Sequence, residues 1–354
     1  MVIFHISESI KGGISSYIDE IILEQIDHFG SENIRIIIPA IHKKYLVNVP
    51  ENNIIESPNK NRTILELLKF CFFVWKRIIV DRPDVIHIHS SIAGVSVRVL
   101  LFFLIWRPRV IYCAHGWSFG RTASPLLQSL FSLIEKILTA RTDVIVNISE
   151  YESTLAKRHG IPPGKMVTVN NAIRIPTCRP TKFQTESDRL ELLFVGRFDR
   201  QKGFDFLVRV IDAIPADMVR LTAIGEPVLG DISVTYPDNV RLLGWIPRDQ
   251  LHQYYASADA VVVPSRWEPF GLVALEAMAC GTAVIASNRG ALPEIVDHGD
   301  TGIVFELSEP DVLVNVLRSL DRKKLRLMGQ NGYRKIVRNY SAAELNKKII
   351  QLYG

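Results

Sequence analysis

The chain has 354 residues, of which 47% are hydrophobic and 22% are charged. This length predicts about two globular domains, and the composition excludes a disordered or low-complexity protein. The net charge is +5, and no segment reaches about 18 uncharged apolar residues, so no membrane-spanning helix is predicted.

The excess of positive charge lies in the first half of the chain. Residues 1–180 contain 21 Lys and Arg against 15 Asp and Glu, whereas residues 181–354 contain 21 against 22. This asymmetry fits an anionic membrane surface, a phosphorylated acceptor or nucleic acid, and it also fits ordinary solvated surface charge.

The cysteines and the first residues indicate the compartment. Cys71, Cys113, Cys178 and Cys280 form no Cys-x-x-Cys pair, so neither a zinc site nor a disulfide framework is expected, and a reducing compartment fits. Residues 1–7 have no basic leader and indicate a first β-strand rather than a signal peptide. We therefore expect a cytoplasmic protein.

Short β-branched segments alternate with longer helical patterns, which predicts parallel sheets covered by crossover helices. In the first half, we expect strands at Val2–Ile6, Ile34–Ile38, Val85–His89, Val110–Ala114, Val144–Ile148 and Met166–Asn170. In the second half, we expect them at Leu192–Val195, Arg220–Ile224, Val240–Leu243, Ala260–Val263, Ala283–Ala286 and Gly302–Phe305. Two such series predict two doubly wound sheets.

A polar stretch separates the two series. Residues 171–187 contain Pro176 and Pro180 and show no hydrophobic period, so we interpret them as a linker. The domains are expected at residues 1–175 and 188–337. The tail from Asp321 is predicted to be helical, and its last part, about 338–354, is expected to pack back on the first domain.

Three helical segments of the first half combine large apolar residues with Lys or Arg. They are predicted at Leu65–Val80, Val95–Trp106 and Leu126–Leu138. Basic amphipathic helices can lie in a membrane interface, although helices that simply cover a sheet show the same pattern. Leu65–Val80 is the best membrane candidate, because Lys69, Lys76 and Arg77 flank its aromatic face.

Two loops are candidates for binding phosphate. Gly12 and Gly13 follow the first strand and precede a helix near Ser15, where backbone N–H groups can approach an anion, although a plain tight turn explains this pair as well. The loop after Leu192–Val195 contains Arg197 and Lys202. Two cations at the carboxyl end of the first strand of a doubly wound sheet suit a diphosphate.

The segment from Glu268 to Glu276 gives the sharpest signal. A buried strand leads to a loop that holds Glu268, and Glu276 lies in the second turn of the helix that follows. Both carboxylates can face one cleft, where each suits the vicinal hydroxyls of a sugar or a ribose. The backbone N–H groups of Phe270, Gly271 and Leu272 lie at the helix start, which favours an anion.

Histidines follow two strands of the first series. His115 comes directly after Val110–Ala114, at the edge of the expected cleft, where it can hydrogen-bond a substrate or serve as a structural histidine. His87 and His89 alternate with isoleucines within a strand. A metal site from these two residues is not expected without a third ligand.

The Glu268–Glu276 segment resembles the E-x7-E motif of retaining glycosyltransferases of family 4, which have the GT-B fold of two Rossmann-like domains facing across a cleft. Gly196-Arg197-Phe198 with Lys202-Gly203 is similar to the diphosphate-binding loop of that family. The resemblance is strong over about residues 190–306 and weaker over the first half. One departure is Ala291 in the segment 290–294, where members of the family often have a second glycine.

The resemblance implies a role for each matching residue. Arg197 and Lys202 would hold the donor diphosphate, Glu276 the ribose and Glu268 the donor sugar, beside the backbone of Phe270, Gly271 and Leu272. Gly12 and Gly13 would approach the phosphate and the sugar, His115 would lie near the anomeric carbon, and Ile246 would contact the nucleobase. The family needs no metal or other cofactor, and no D-x-D motif occurs in the sequence.

These observations predict a metal-independent, retaining glycosyltransferase that uses a nucleotide-sugar, with uridine expected from the family. The expected acceptor is a polyprenyl-diphosphate-linked or other saccharide in surface polysaccharide synthesis, such as O-antigen, capsule or exopolysaccharide. A peripheral association with the cytoplasmic face of the inner membrane is predicted, and no nucleic acid partner. The alternatives are a GT-B nucleotide-sugar epimerase or hydrolase and a non-catalytic nucleotide-sugar binding protein.

Overall fold

A computed structural model describes residues 1–120, 124–175, 188–227 and 236–354. Within these ranges the chain forms two units, Met1–Ala172 with Ala342–Gly354, and Ile173–Ser341. Each unit is built on one parallel sheet with flanking helices, which confirms the predicted α/β class. Cys178 and most of the predicted linker lie outside the described residues.

The first unit contains a seven-stranded sheet in the order β3-β2-β1-β4-β5-β6-β7. Its strands are β1 Ile3–Ile6, β2 Ile34–Pro39, β3 Ile54–Ser57, β4 Val85–His89, β5 Arg109–Cys113, β6 Val144–Asn147 and β7 Met166–Thr168. Its helices are α1 Gly13–Phe29, α2 Ile64–Asp81, α3 Ser91–Leu101, α4 Pro125–Leu138 and α5 Glu150–Arg158, together with α12 Ala342–Gln351 near the C-terminus.

The second unit contains a six-stranded sheet in the order β10-β9-β8-β11-β12-β13. Its strands are β8 Leu190–Val195, β9 Val219–Ile224, β10 Val240–Leu242, β11 Ala260–Val263, β12 Ala283–Ser287 and β13 Gly302–Phe305. Its helices are α6 Phe204–Asp212, α7 Leu251–Ser257, α8 Leu272–Ala279, α9 Leu292–Ile295, α10 Pro310–Arg318 and α11 Arg322–Asn339.

The central strands form because their side chains are buried on both faces of each sheet. All residues of β1, β4, β11 and β12 are buried, as expected for parallel strands covered by helices on both sides. Ser and Thr caps begin several helices: Thr63 accepts from the N–H of Glu66, and Ser149 accepts from the N–H of Glu152. Such caps satisfy N–H groups that have no partner within the helix.

The strand order reverses between β1 and β4 in the first sheet and between β8 and β11 in the second. Loops that leave the carboxyl ends of two such neighbours diverge to opposite faces and open a crevice, where doubly wound sheets bind their ligands. In the second sheet these loops carry Arg197, Lys202 and Glu268. In the first sheet they carry Gly12 and the residues that follow His89.

The structure corrects three sequence predictions. The strand β3 was not expected, because this edge strand contains only two large apolar residues. The helix α3 begins at Ser91 and ends at Leu101 rather than spanning Val95–Trp106, and the Ser90 hydroxyl caps its start by accepting from the N–H of Ala93. The predicted helical tail is two helices, and the second of them, α12, packs on α1, where the Asn346 amide donates to Glu20 O at 2.9 Å.

Candidate active site

The loop after β8 is packed closely through two aromatic rings and one glycine. Phe198 stacks on Phe204 with 4.1 Å between ring centroids. Gly203 has a φ of +73°, and a Cβ there would lie 2.0 Å from the carbonyl oxygen of Pro264, the residue after β11. The loop therefore approaches the end of β11 more closely than any side chain at Gly203 would permit.

This close approach brings two of the predicted residues together. Lys202 Nζ lies 2.6 Å from Glu268 Oε2, and the Ser265 hydroxyl donates to the same oxygen at 3.2 Å. Glu268 is only 7% exposed, so the ammonium group supplies the countercharge that a buried carboxylate requires. Neighbouring strands thus present one cation and one carboxylate at a single point of the sheet edge.

Arg197 lies in the same loop but has different partners. Its Nη2 donates to Gln201 Oε1 at 2.8 Å and lies 3.0 Å from Asp199 Oδ2. The Arg197 side chain is 44% exposed, so its guanidinium is accessible to an anion in solvent. The structure therefore joins Lys202 to Glu268 and leaves Arg197 paired within its own loop.

The backbone of Glu268 is fixed by the segment after β12. The Ala291 N–H donates to Glu268 O at 2.9 Å. Gly290 has a φ of +63°, and a Cβ there would lie 1.9 Å from the same oxygen. Ala291 is completely buried, so the position where the family often has a second glycine serves here to pack and position the Glu268 loop.

Glu276 lies on α8, whose other face is buried. Tyr255 Oη donates to Glu276 Oε2 at 2.7 Å, and Arg248 Nε lies 3.3 Å from Glu276 Oε1. Burial, followed by the charge of Glu276, raises the pKa of Tyr255 well above its usual value, so the phenol remains a donor. Neither partner was predicted from the sequence, because Arg248 and Tyr255 precede Glu276 by 28 and 21 residues and share no recognisable motif with it.

The remaining predicted residues of the second unit lie around the same edge. Gly271 caps α8 with a φ of +118°, and Phe270 beside it is buried. Leu272 is the first residue of α8. Ile246 is partly exposed in the loop after β10, two residues before Arg248.

In the first unit, Gly12 and Gly13 join β1 to α1. Gly12 has a φ of +77°, and a Cβ added there would have no other atom within 4 Å. Gly13 is the first residue of α1. The Ser15 hydroxyl donates to Gly12 O at 2.8 Å and stabilises the turn. A neighbouring residue, Glu8, was not predicted: it is buried, and its carboxylate accepts from the Ser90 hydroxyl and lies 2.8 Å from Arg62 Nη2.

His115 lies in the loop after β5, as predicted, with an unusual φ of +51°. Its Nε2 lies 3.0 Å from His89 Nδ1, and Tyr17 meets its ring edge-on at 4.7 Å between centroids. Burial lowers the pKa of His115 to about 3, so the imidazole is neutral near pH 7. It can therefore serve as a hydrogen-bonding group but not as a cation.

His87 and His89 have a third histidine beside them, which the sequence analysis did not anticipate. Nitrogen atoms of His5, His87 and His89 lie within 4.8 Å of one another, and all three rings are buried. Burial lowers the pKa of His5 to about 4 and the pKa values of the other two well below their usual range. Parallel pairing of β1 with β4 places His5 opposite His87, a register that a single sequence does not reveal.

Among the described residues, no helix is long and apolar enough to cross a membrane.

Comparison with known proteins identifies the family. A model described as "Glycosyl transferases group 1" matches residues 179–335, and one described as "Glycosyltransferase Family 4" matches residues 12–175. A Klebsiella pneumoniae protein, described as an uncharacterized 41.2 kDa protein in the cps region, is 32% identical over 331 residues, covering 90% of each chain.

Two further proteins are similar over most of their length. An Escherichia coli enzyme, UDP-Gal:alpha-D-GlcNAc-diphosphoundecaprenol alpha-1,3-galactosyltransferase, is 26% identical over 318 residues, covering 83% of this chain and 81% of that protein. The structure of Anabaena HepE in complex with UDP-glucose superposes with a TM-score of 0.81 at 19% identity, covering 99% of this chain and 98% of that one. The chain therefore belongs to the family 4 glycosyltransferases, and its two Rossmann-like units are those of the GT-B fold.

Proposed function

We propose that this glycosyltransferase moves a sugar from a UDP-sugar to a lipid-linked or other saccharide acceptor, with retention of the anomeric configuration, during surface polysaccharide synthesis. The observation that carries the proposal is the contact of Lys202 with Glu268 at the point where the second sheet reverses its strand order. The Lys202 ammonium group can bind a diphosphate, and the Glu268 carboxylate beside it can accept hydrogen bonds from the hydroxyl groups of a sugar.

In this proposal, the cations of the second unit stabilise the leaving group. Negative charge grows on the diphosphate as the glycosidic bond breaks, and preorganised positive groups lower the energy of that transition state. Arg197, Lys202 and the N–H groups of Phe270, Gly271 and Leu272 supply this stabilisation. The reaction then needs no metal ion or other cofactor.

The two glutamates orient the rest of the donor. Tyr255 and Arg248 hold the Glu276 carboxylate, which accepts from the ribose hydroxyls, with Ile246 against the base. Glu268 accepts from hydroxyls of the transferred sugar. Gly12, Gly13 and His115 are assigned to the phosphate and the sugar ring of the substrate.

The relatives support the donor and the acceptor class. HepE of Anabaena was solved with UDP-glucose, and the name of the Escherichia coli enzyme gives a UDP-sugar donor and a diphosphoundecaprenol-linked acceptor. The Klebsiella relative is described as lying in the cps region. These descriptions favour a uridine nucleotide and a lipid-linked saccharide in a surface polysaccharide.

A donor screen tests the binding part of the proposal. UDP-, GDP- and ADP-sugars are added to the wild type, to Glu276→Ala and to Arg197→Ala, and the melting temperature is followed. We expect UDP-sugars alone to raise it, and both variants to lose the increase. Lys335→Ala is the control, because Lys335 forms a comparable ion pair with Asp297 at 2.9 Å outside these loops. A rise that persists in both variants would place the nucleotide elsewhere.

We also propose that the first unit rests on an anionic membrane surface from the cytoplasmic side. On α4, Leu126 is 83% exposed and Leu130 is 50% exposed, and on α2, Phe72 is 72% exposed. A groove of about 410 Å³ beside Phe72 is lined by Lys69, Lys76 and Arg77. Exposed apolar side chains next to cations suit the interface of an anionic bilayer.

Flotation with vesicles tests this surface. The wild type should float with vesicles that contain phosphatidylglycerol at low salt, and the double variant Leu68→Ser with Phe72→Ser should float less, since both side chains are exposed on α2. Leu327→Ser is the control, because Leu327 is 57% exposed but lies on α11 of the second unit. Equal flotation of all three proteins would remove the membrane from the proposal.

A further inference from the structure

A continuous chain of buried polar side chains leads from His115 to the C-terminal segment. His115 Nε2 lies 3.0 Å from His89 Nδ1, and His89 Nε2 lies 3.0 Å from His5 Nδ1. His5 Nε2 lies 2.7 Å from Gln25 Oε1, and the Gln25 amide nitrogen donates to Tyr353 Oη at 2.9 Å. The function proposed above uses only the first of these residues.

The chain is closed at its far end by His87. Tyr353 Oη lies 2.8 Å from His87 Nδ1. Because the phenol oxygen already accepts from Gln25, its single proton is free to be donated to His87. Tyr353 is itself held in place, since Arg109 Nε donates to the carbonyl oxygen of Leu352 at 2.7 Å.

Each link in the chain fixes the next one. The Gln25 carbonyl oxygen can only accept, so His5 carries its proton on Nε2. A neutral imidazole has one donor nitrogen and one acceptor nitrogen, so His5 Nδ1 accepts, and His89 must donate from Nε2. His89 Nδ1 then accepts in turn, and His115 must donate from Nε2.

This order requires all the imidazoles to be neutral, and the surroundings make them so. His5, His89 and Gln25 are completely buried. The burial of these rings lowers their pKa values, to about 4 for His5 and about 3 for His115. A proton added to any ring would turn an acceptor into a donor and break the chain.

We propose that Gln25, His5, His89 and Tyr353 are positioning residues that hold His115 as the Nε2-protonated tautomer, which leaves Nδ1 as a hydrogen-bond acceptor for a hydroxyl group of the substrate. This proposal rests on the proposed function, in which His115 binds a sugar ring of the substrate. It narrows the role of His115 to accepting a hydrogen bond. It also gives the segment after α12 a role in the site, because Tyr353 lies in that segment.

The competing interpretation is a metal site formed by His5, His87 and His89. Their nitrogens lie within 4.8 Å of one another, and His87 Nε2 has no hydrogen-bond partner among the described residues. However, His5 Nδ1 and His89 Nε2 lie 3.0 Å apart, at hydrogen-bond distance from each other. The structure therefore favours a shared proton at this point.

Nitrogen-15 NMR of histidine-labelled protein tests the proposal, because protonated and unprotonated imidazole nitrogens have well-separated shifts. We expect wild-type His115, assigned with His115→Asn, to be protonated on Nε2 alone. In Gln25→Leu, which removes the acceptor at His5, we expect loss of this single tautomer. Tyr17→Phe is the control, because the Tyr17 hydroxyl has no partner among the described residues.

Kinetics supply a second measurement. Gln25→Leu should lower kcat by about tenfold or more and leave UDP binding unchanged, since the nucleotide is proposed to bind the other unit. If Gln25→Leu does not fold, Tyr353→Phe replaces it with the same expected loss of the single tautomer.

Three results would overturn the proposal: His115 protonated on Nδ1 in the wild type, an unaltered tautomer in Gln25→Leu, or stoichiometric zinc that shifts the resonances of His5, His87 and His89. The spectra do not depend on sugar transfer. If no donor supports transfer but the tautomers follow the expected order, the proposed function fails and the substrate contact of His115 fails with it, whereas the tautomer assignment stands.

Discussion

At the scale of single residues, the charges of the candidate donor site neutralise one another. Lys202 pairs with Glu268, Arg248 with Glu276, and Arg197 with Asp199. In the proposed function, the diphosphate of a bound nucleotide-sugar interacts with Lys202 and Arg197, whereas its ribose interacts with Glu276. Binding of the diphosphate and binding of the ribose should therefore depend on different residues.

Two ligands separate these contributions. Lys202→Met should weaken UDP binding by about ten- to a hundredfold, as expected when a charged hydrogen bond worth about 1.5–3 kcal/mol is lost, and should leave uridine binding unchanged. Glu276→Gln should weaken the binding of both, because both contain the ribose. Calorimetric titration of each variant measures this difference, with Lys335→Met as the control. A Lys202→Met protein that loses uridine and UDP equally would contradict the assignment to the diphosphate.

The sequence allowed the charged residues of this site to be predicted, but not their partners. Glu268, Glu276, Arg197 and Lys202 lie in recognisable segments, whereas Tyr255 and Arg248 are near Glu276 only in the fold. The same limit applied to the histidine chain. His5, Gln25 and Tyr353 come from a strand, a helix and the C-terminal segment, and only strand register and helix packing bring them together.

At the scale of secondary structure elements, backbone shape decides how closely the loops after β8 and β11 can meet. Gly203 and Gly281 have nearly the same φ, +73° and +70°. A Cβ at Gly203 would lie 2.0 Å from Pro264 O, whereas nothing lies within 4 Å of a Cβ at Gly281. The two glycines therefore form a matched pair for separating backbone strain from steric overlap.

Gly281→Ala should cost about 1–2 kcal/mol of unfolding free energy, which is the cost of a left-handed conformation. Gly203→Ala should cost about 1–3 kcal/mol more, because the loop must also move away from Pro264. Urea denaturation of each variant, followed by the unfolding transition of the second unit, measures both losses of unfolding free energy. Equal losses would show that the approach to Pro264 contributes nothing to the stability of this unit.

Elements with a strong pattern were predictable, and those that depend on their neighbours were not. The strands β1, β4, β8 and β11 are rich in large apolar residues and were predicted close to their observed positions. The edge strand β3 has a weaker pattern, and it forms because β2 offers it free hydrogen-bonding groups, in the register Ile36 with Ile54. The end of α3 was also misjudged, because apolar residues continue past Leu101 into a turn.

At the scale of the whole molecule, the two units have similar folds but different buried chemistry. The first unit encloses His5, His87 and His89 and holds His115 beside them, and burial lowers the pKa values of all four. Tyr17 and Tyr353 pack against them, and burial raises the pKa of each phenol, so that both remain neutral. The first unit should therefore be more sensitive to mild acid than the described part of the second unit.

The sign of this effect follows from proton linkage. Below about pH 6.5 the unfolded histidines bind protons, whereas the folded ones do not, so stability is fully present above that pH and falls as the pH approaches about 4. Each histidine can contribute up to about 1.4 kcal/mol per pH unit. Amide hydrogen exchange between pH 6.5 and 5 should show β1 and β4 losing more protection free energy than β8 and β11. Parallel losses in both sheets would contradict the prediction.

The configuration of the transferred sugar tests the central claim most directly. The enzyme is incubated with a UDP-sugar and a polyprenyl-diphosphate-linked saccharide, and proton NMR of the product gives the anomeric coupling constant of the new linkage. We predict a glycoside with the same anomeric configuration as the donor, formed by the wild type and lost in Glu268→Ala. An inverted linkage, or free sugar released without transfer to the acceptor, would contradict the account of this protein as a retaining glycosyltransferase.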